Sequence, residues 1–223
     1  MAGRTEFLES IRRRTQTGRY KPTRAPGVAW TPKSEPVGRE EIEDRPARFL
    51  EELRAIGGYG RRASSPEEVR EYVVTLAREK GAKLLVRWDV EELDRLGVDD
   101  PLKQAGVEVA VWRELGDFRA VAAGADIGLS SAEWAIAETG SLVLTSGLGR
   151  GRSVTLLPPT YVVVIAVERI LSTVPDAIEK YAGDGGVPAN VCFHTGPSRS
   201  GDIEMTLVTG MHGPGEVHVI LVG

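Results

Sequence analysis

The run YVVVIA at residues 161–166 constrains the fold of this chain more than any other segment. Six consecutive apolar residues, four of them β-branched, read as a strand with no polar face to offer water. Such a strand must be covered on both sides, which is the situation of a parallel sheet sandwiched between helices. The rest of the chain supplies partners for it. Residues 83–88, 107–111, 190–194 and 217–222 have strand character, and helical spacing recurs between them. The segment SPEE at residues 65–68 is a strong helix start, with Ser65 as N-cap, Pro66 at the first helical position and Glu68 at the third. Val69, Val73, Leu76 and Ala77 continue that helix to Gly81. A further helix is expected over residues 46–56, closed by Gly57 and Gly58, a short one near Leu102, and one over residues 170–181. Alternating helix and strand with unbroken apolar strands predicts an α/β fold: a mostly parallel sheet with helices on both faces, in three layers.

The apolar fraction of 41% over 223 residues suffices for one sizeable core, and the expected organisation is a body over residues 45–223 preceded by an extension over residues 1–44. Within the extension, residues 4–14 read as a helix with Phe7, Leu8 and Ile11 on one stripe, followed by Arg12, Arg13 and Arg14. Those arginines suit either an acidic partner surface or a solvated helix end whose cations favour the C-terminal dipole. Pro22, Pro26, Pro32 and Pro36 then mark an extended arm. A formal net charge of −4 gives no basic footprint over the whole chain, which argues against nucleic acid as the partner. No apolar stretch reaches the roughly 18 residues that span a bilayer, and the N-terminus lacks a signal-peptide core, so a cytoplasmic location is expected. Cys192 is the single cysteine, so this chain alone holds no disulfide and no cysteine-ligated iron-sulfur cluster. With neither HExxH nor a Cys-His pair around His194, His212 and His218, no metal site is expected, and no flavin or nicotinamide motif is visible.

Chemistry is expected at three loops. In the first segment Glu138 lies between the apolar runs WAIA and LVL, beside Thr139 and Gly140. A carboxylate there is costly to desolvate unless a partner or a ligand satisfies it, which makes it the first catalytic candidate. Next comes SGLGRGRS at residues 146–153, where Gly147 and Gly149 allow close backbone approach and Arg152 can grip a carboxylate or phosphate. It is not a Walker A loop, and a mobile glycine loop with solvated arginines fits the same residues. The third candidate is the segment after residue 194, where Ser198, Arg199 and Asp202 form either an anion site or a structural capping pair. His212, between glycine-rich turns, either reaches a cleft or bonds backbone, whereas His218 alternates with Val217 and Val219 and is expected on a strand surface. Nothing resembles a nucleophile elbow.

The runs AIAETGSLVL at 135–144, GRSVTLLPPTYVVV at 151–164 and GPSRSGDIEMTLVTGMHGPGEVHVILV at 196–222 resemble the LUD-domain family, specifically its short members of the lactate-utilisation protein C type. The resemblance implies a fold similar to the sugar-phosphate isomerase and class I CoA-transferase group. It also implies a part in oxidising L-lactate to pyruvate, together with an iron-sulfur partner that carries a LUD domain. On the matching positions it points to Glu138, Thr139, Gly140, Arg152, Ser198, Arg199, Asp202 and His212. Three roles stay open for Glu138: the nucleophile of an acyl or CoA transfer, a general base toward a small acid held by Arg152 or Arg199, and a turn brace bonded to backbone. An isomerase-like site for phosphosugars is a further alternative. These loops are expected to converge on one cleft at a sheet edge, taking a small organic acid or another anionic ligand.

Overall fold

The computed structural model describes Glu9 and residues 43–114, 116–181, 188–201 and 207–223. The expected N-terminal helix and proline arm, apart from Glu9, Glu43 and Asp44, lie outside the described residues, as do Asp202 and Glu204.

Six strands form the main sheet: β1 (Tyr59–Ala63), β2 (Leu84–Arg87), β3 (Glu108–Val111), β4 (Ile127–Ser131), β7 (Thr160–Ala166) and β12 (Glu216–Val222). Their order is β1-β12-β7-β4-β2-β3, and all five pairings are parallel. The all-apolar β7 is central, flanked by β12 and β4, as its sequence requires. Helices cover both faces. The α1 helix (Arg45–Ala55) starts where Asp44 accepts from Ala47 N at 3.0 Å and packs Leu50 and Leu53 onto Gly60. The α2 helix (Pro66–Glu79) starts at Ser65 as read from the sequence and buries Val69, Val73, Leu76 and Ala77 on one stripe. It packs against α3 (Glu91–Leu96) and α4 (Asp99–Gln104), so the short helix expected near Leu102 is one of two.

Strand alternation sorts these layers. Arg61 lies over Tyr72 of α2, and Arg87 reaches α3 and α4, where its guanidinium bonds Asp99 at 2.8 Å through both Nε and Nη2 and Asp94 at 2.8 Å. Burial alone would pull Arg87 down, but Asp99 and Asp94 outweigh it and the net shift is upward. On the opposite face lie α1, α5 (Phe118–Gly124) and α6 (Arg152–Leu156). Gly128 faces α6 so closely that a Cβ would come within 2.0 Å of Val154 O.

A second sheet, not foreseen from the sequence, grows from the ends of the first. The chain leaves β4 into β5 (Trp134–Ile136), and leaves β7 through a 3₁₀ turn (Val167–Arg169) into β8 (Ile170–Leu171). The order is β8-β5-β6-β9, with β6 (Ser141–Thr145) and β9 (Val191–His194) antiparallel to each other and β6 antiparallel to β5. The helix expected over residues 170–181 is therefore corrected. Ile170 and Leu171 are strand, and α7 (Val174–Glu179) begins only where Thr173 and Asp176 close a capping box. His218 is also corrected. It is 5% exposed because β12 is an interior strand, with Tyr72 Oη 2.8 Å from its Nδ1 and Tyr59 stacked on its ring. Burial lowers its pKa, against the opposing pull of Glu216.

Candidate functional site

Strand β6 separates the predicted loops. Glu138, Thr139 and Gly140 form the hairpin turn before it, and residues 147–151 follow it. Four strand rises between Ser141 and Thr145 amount to roughly 14 Å, so these two motifs lie at opposite ends of one strand. The single cleft expected from the sequence does not form. Among the described residues Glu138 pairs with no arginine and no histidine.

At the turn end Glu138 faces inward to backbone. Its Oε1 accepts from Val174 N at 2.6 Å, the first residue of α7, and its own N–H donates to Ser172 O at 3.1 Å. Thr139 Oγ1 donates to Ser141 Oγ at 2.8 Å, which lies 2.8 Å from Thr195 Oγ1 on the β9 side. Gly140, at φ +63°, lies so near α1 that a Cβ would be 2.5 Å from Leu53 N. Gly196, at φ +70°, would place a Cβ 2.9 Å from Ile56.

The C-terminal candidates belong to this side. Ser198 N donates to Pro214 O at 2.9 Å, and Ser198 Oγ accepts from His212 N at 3.3 Å. His212 thus meets Ser198 through its backbone, and its ring is exposed. Arg199 opens the strand β10 (Arg199–Gly201), paired with β11 (Leu207–Thr209), and its guanidinium lies against Gly57. The structure brings Ser198 and His212 together, and it brings neither to Arg152.

At the far end the glycine loop is held by the protein itself. Gly147 and Arg150 exchange backbone hydrogen bonds, and Asp89 N donates to Gly149 O at 3.0 Å. Gly149, at φ +75°, would place a Cβ 2.2 Å from Asp89 O, and a Cβ on Gly151 would strike the Trp112 ring. The groups that approach Gly149 and Gly151 are the protein's own Asp89 and Trp112, and Gly147 has no atom within 4 Å of a Cβ position. Arg150 is committed as well, with Nη1 2.7 Å from Glu133 Oε2 and 3.0 Å from Thr145 Oγ1.

Arg152 is different. It opens α6 at the mouth of a pocket of about 320 Å³, exposed and with no ion pair among the described residues. Trp88, Leu144, Leu156, Val191 and Phe193 make the walls apolar, and Ser146, Asn190 and Cys192 add polar groups. Trp88 is fixed by Nε1 donating to Gly151 O at 2.9 Å and by its backbone N donating to Leu129 O at 3.0 Å. The position follows from topology. After β2 the chain passes to β3 on one side and then to β4 on the other, and ligands of open α/β sheets bind beyond the carboxyl ends of strands at such a switch point. Trp88 is the residue immediately after β2.

Within this region burial raises the Cys192 thiol, with Arg152 opposing it. Burial pushes His194 down to about 4 and leaves its Nδ1 without a partner, its ring edge-on to the fully buried Tyr161. Tyr161 Oη is 2.6 Å from Ser130 Oγ, which donates to Ser131 O at 2.9 Å. Across Thr145 and Ser146 a second opening holds the Glu133–Arg150 pair and Tyr181, whose hydroxyl is buried with no partner among the described residues and whose pKa is raised by burial and by Glu133. Sequence reading missed Trp88, Asn190 and Cys192 as pocket residues. Their only linear signal was their position at predicted strand ends. No group of three or more His, Cys, Asp or Glu side chains among the described residues is placed to hold a metal ion. No helix among them is long and apolar enough to cross a membrane.

A free guanidinium at the mouth of an apolar pocket, with an amide and a hydroxyl in its lining, can fix a carboxylate by a charge-assisted fork and leave two donors or acceptors for a neighbouring oxygen. Comparison with known proteins places the chain in a family. The LUD domain profile matches residues 46–222. The chain is 31% identical over 218 residues to lactate utilization protein C of Halalkalibacterium halodurans, covering 95% of this chain and 94% of that one. It is 33% identical over 165 residues to lactate utilization protein C of a Geobacillus species, covering 70% and 68%. A DUF162 family protein from Deinococcus radiodurans has a similar fold, with a TM-score of 0.56 and 21% identity over 84% of this chain and 100% of that one.

Proposed function

This chain belongs to the LUD-domain family, and from that premise we propose that it serves lactate utilisation by binding a small monocarboxylate at Arg152. The observation that carries the reading is the Arg152 guanidinium, unpaired among the described residues, lining the 320 Å³ pocket beyond β2. The relatives' names support lactate as the acid, and pyruvate is the corresponding oxidation product. Their carboxylate would lie on the Arg152 fork, with the adjacent hydroxyl or oxo group within reach of Ser146 and Asn190. Oxidation of lactate to pyruvate releases two electrons and two protons. A single cysteine cannot ligate an iron-sulfur cluster, which supports a subunit or accessory of an assembly whose iron-sulfur partner accepts the two electrons while the two protons pass to solvent. Glu138 acts as a brace for α7 in this reading, since its carboxylate already accepts from Val174 N.

Titration calorimetry of the purified chain with L-lactate and pyruvate, against acetyl-CoA and a sugar phosphate, tests the proposal. Binding of the two small acids that Arg152→Ala removes is the expected result. A preference for the thioester or the phosphosugar, or lactate binding undiminished in Arg152→Ala, overturns it.

A further inference from the structure

The chain is acidic overall, yet the groove along its strand β1 is basic. A groove of about 670 Å³ runs along β1 and is lined by Arg54, Arg61, Arg62, Tyr59 and Tyr72 with three glycines. No carboxylate lines it, and Arg199 stands at its rim against Gly57. Arg48, Arg70, Arg87, Arg95, Arg113, Arg150 and Arg169 each form an ion pair, while Arg45, Arg78, Arg119 and Arg152 form none among the described residues. Around β1 none does among the described residues. Arg61 lies over the Tyr72 ring, Arg62 donates to Gly223 O, and Arg54 and Arg199 have no acidic partner.

The placement of these cations defines what they can bind. Arg61 and Arg62 are successive residues of one strand and point to opposite faces of the sheet, so they cannot close on one phosphate. They can flank a strand. β1 is an edge strand whose pairing among the described residues is with β12 alone, leaving its outer row of N–H and C=O groups without a ladder. Tyr59, 54% exposed and held flat by stacking on His218, gives that edge an apolar platform.

We propose that β1 accepts an extended acidic segment of a partner protein as an added strand, its backbone bonding the open edge and its carboxylates meeting Arg54, Arg61, Arg62 and Arg199. Arginines that merely guard the edge against self-association are the competing explanation. Fluorescence anisotropy with a short labelled peptide of paired glutamates and paired valines, which carries carboxylates on both faces of a strand, separates the two. The peptide is expected to bind at low salt, to weaken as salt rises, and to lose roughly tenfold in affinity to the Arg54→Ala/Arg61→Ala variant. A proline at a central position of the peptide removes a ladder donor and is expected to abolish binding to the unaltered protein, a result that needs no folded variant. Absence of binding, equal binding of the proline peptide, or self-association of the double variant with undiminished peptide affinity overturns the proposal.

Discussion

The two ends of strand β6 carry motifs of the same kind, a charged residue beside a glycine turn, and the structure uses them differently. At the Glu138 end the charge is consumed: its carboxylate caps α7, and Gly140 presses on α1. At the other end Arg150 is consumed by Glu133 while Arg152, two residues later, lines an apolar pocket with no partner among the described residues. A charge that is fully bonded within the fold is a structural element, and one that is not bonded is available to a ligand. Residue type alone does not distinguish the two.

Substitutions at each end sharpen this contrast. The largest effect is expected from Gly140→Ala, which adds left-handed strain to a backbone clash and should cost about 4 kcal/mol in urea unfolding. A loss below about 1 kcal/mol would show that the turn end is not packed as described. Between the two ends, on β9, His194 is neutral in the folded protein with its pKa at about 4 against an ordinary 6.5. The unfolded chain therefore binds the proton first as pH falls. Stability is full above pH 6.5 and declines toward pH 4, by up to about 3 kcal/mol. His194→Leu should flatten that part of the pH profile, and an unchanged slope would remove His194 as its source. Next in size, Arg152→Ala should weaken pyruvate binding by about 2 kcal/mol, roughly thirtyfold, with little change in melting temperature. Glu138→Ala should cost about 1 kcal/mol of stability, with Glu138→Gln milder because it keeps an acceptor for Val174 N. Full loss of ligand binding in Glu138→Gln at unchanged stability would break the comparison, because it would make this carboxylate a reacting group. Smallest of all, Gly147→Ala meets no atom within 4 Å and should change stability by no more than about 0.5 kcal/mol.

Much of the body was legible in advance. YVVVIA became the central strand β7 because its side chains left no face for water, and Ser65-Pro66 began α2 because capping chemistry is local. The second sheet was not legible. β5 and β8 are short, and their pairing is a contact between residues 35 apart in the chain, Ala135 and Ile170. His218 was misplaced for the same reason. Alternation with valines reads as half-exposed until β12 is known to lie between β1 and β7, with Tyr59 and Tyr72 closing over the ring. At the candidate site the sequence singled out Arg152 but paired it with Glu138, and Cys192 and Trp88 gave no local sign of lining a pocket.

The sequence by itself determined the layers, the helix starts and the turns that only glycine can make, because hydrophobic periodicity, caps and backbone sterics act over a few residues. Tertiary structure decided which charges are spent and which are free. That choice depends on distances between segments far apart in the chain. Glu138 is quiet because Val174 N lies 2.6 Å away, and Arg152 is paired with no carboxylate among the described residues.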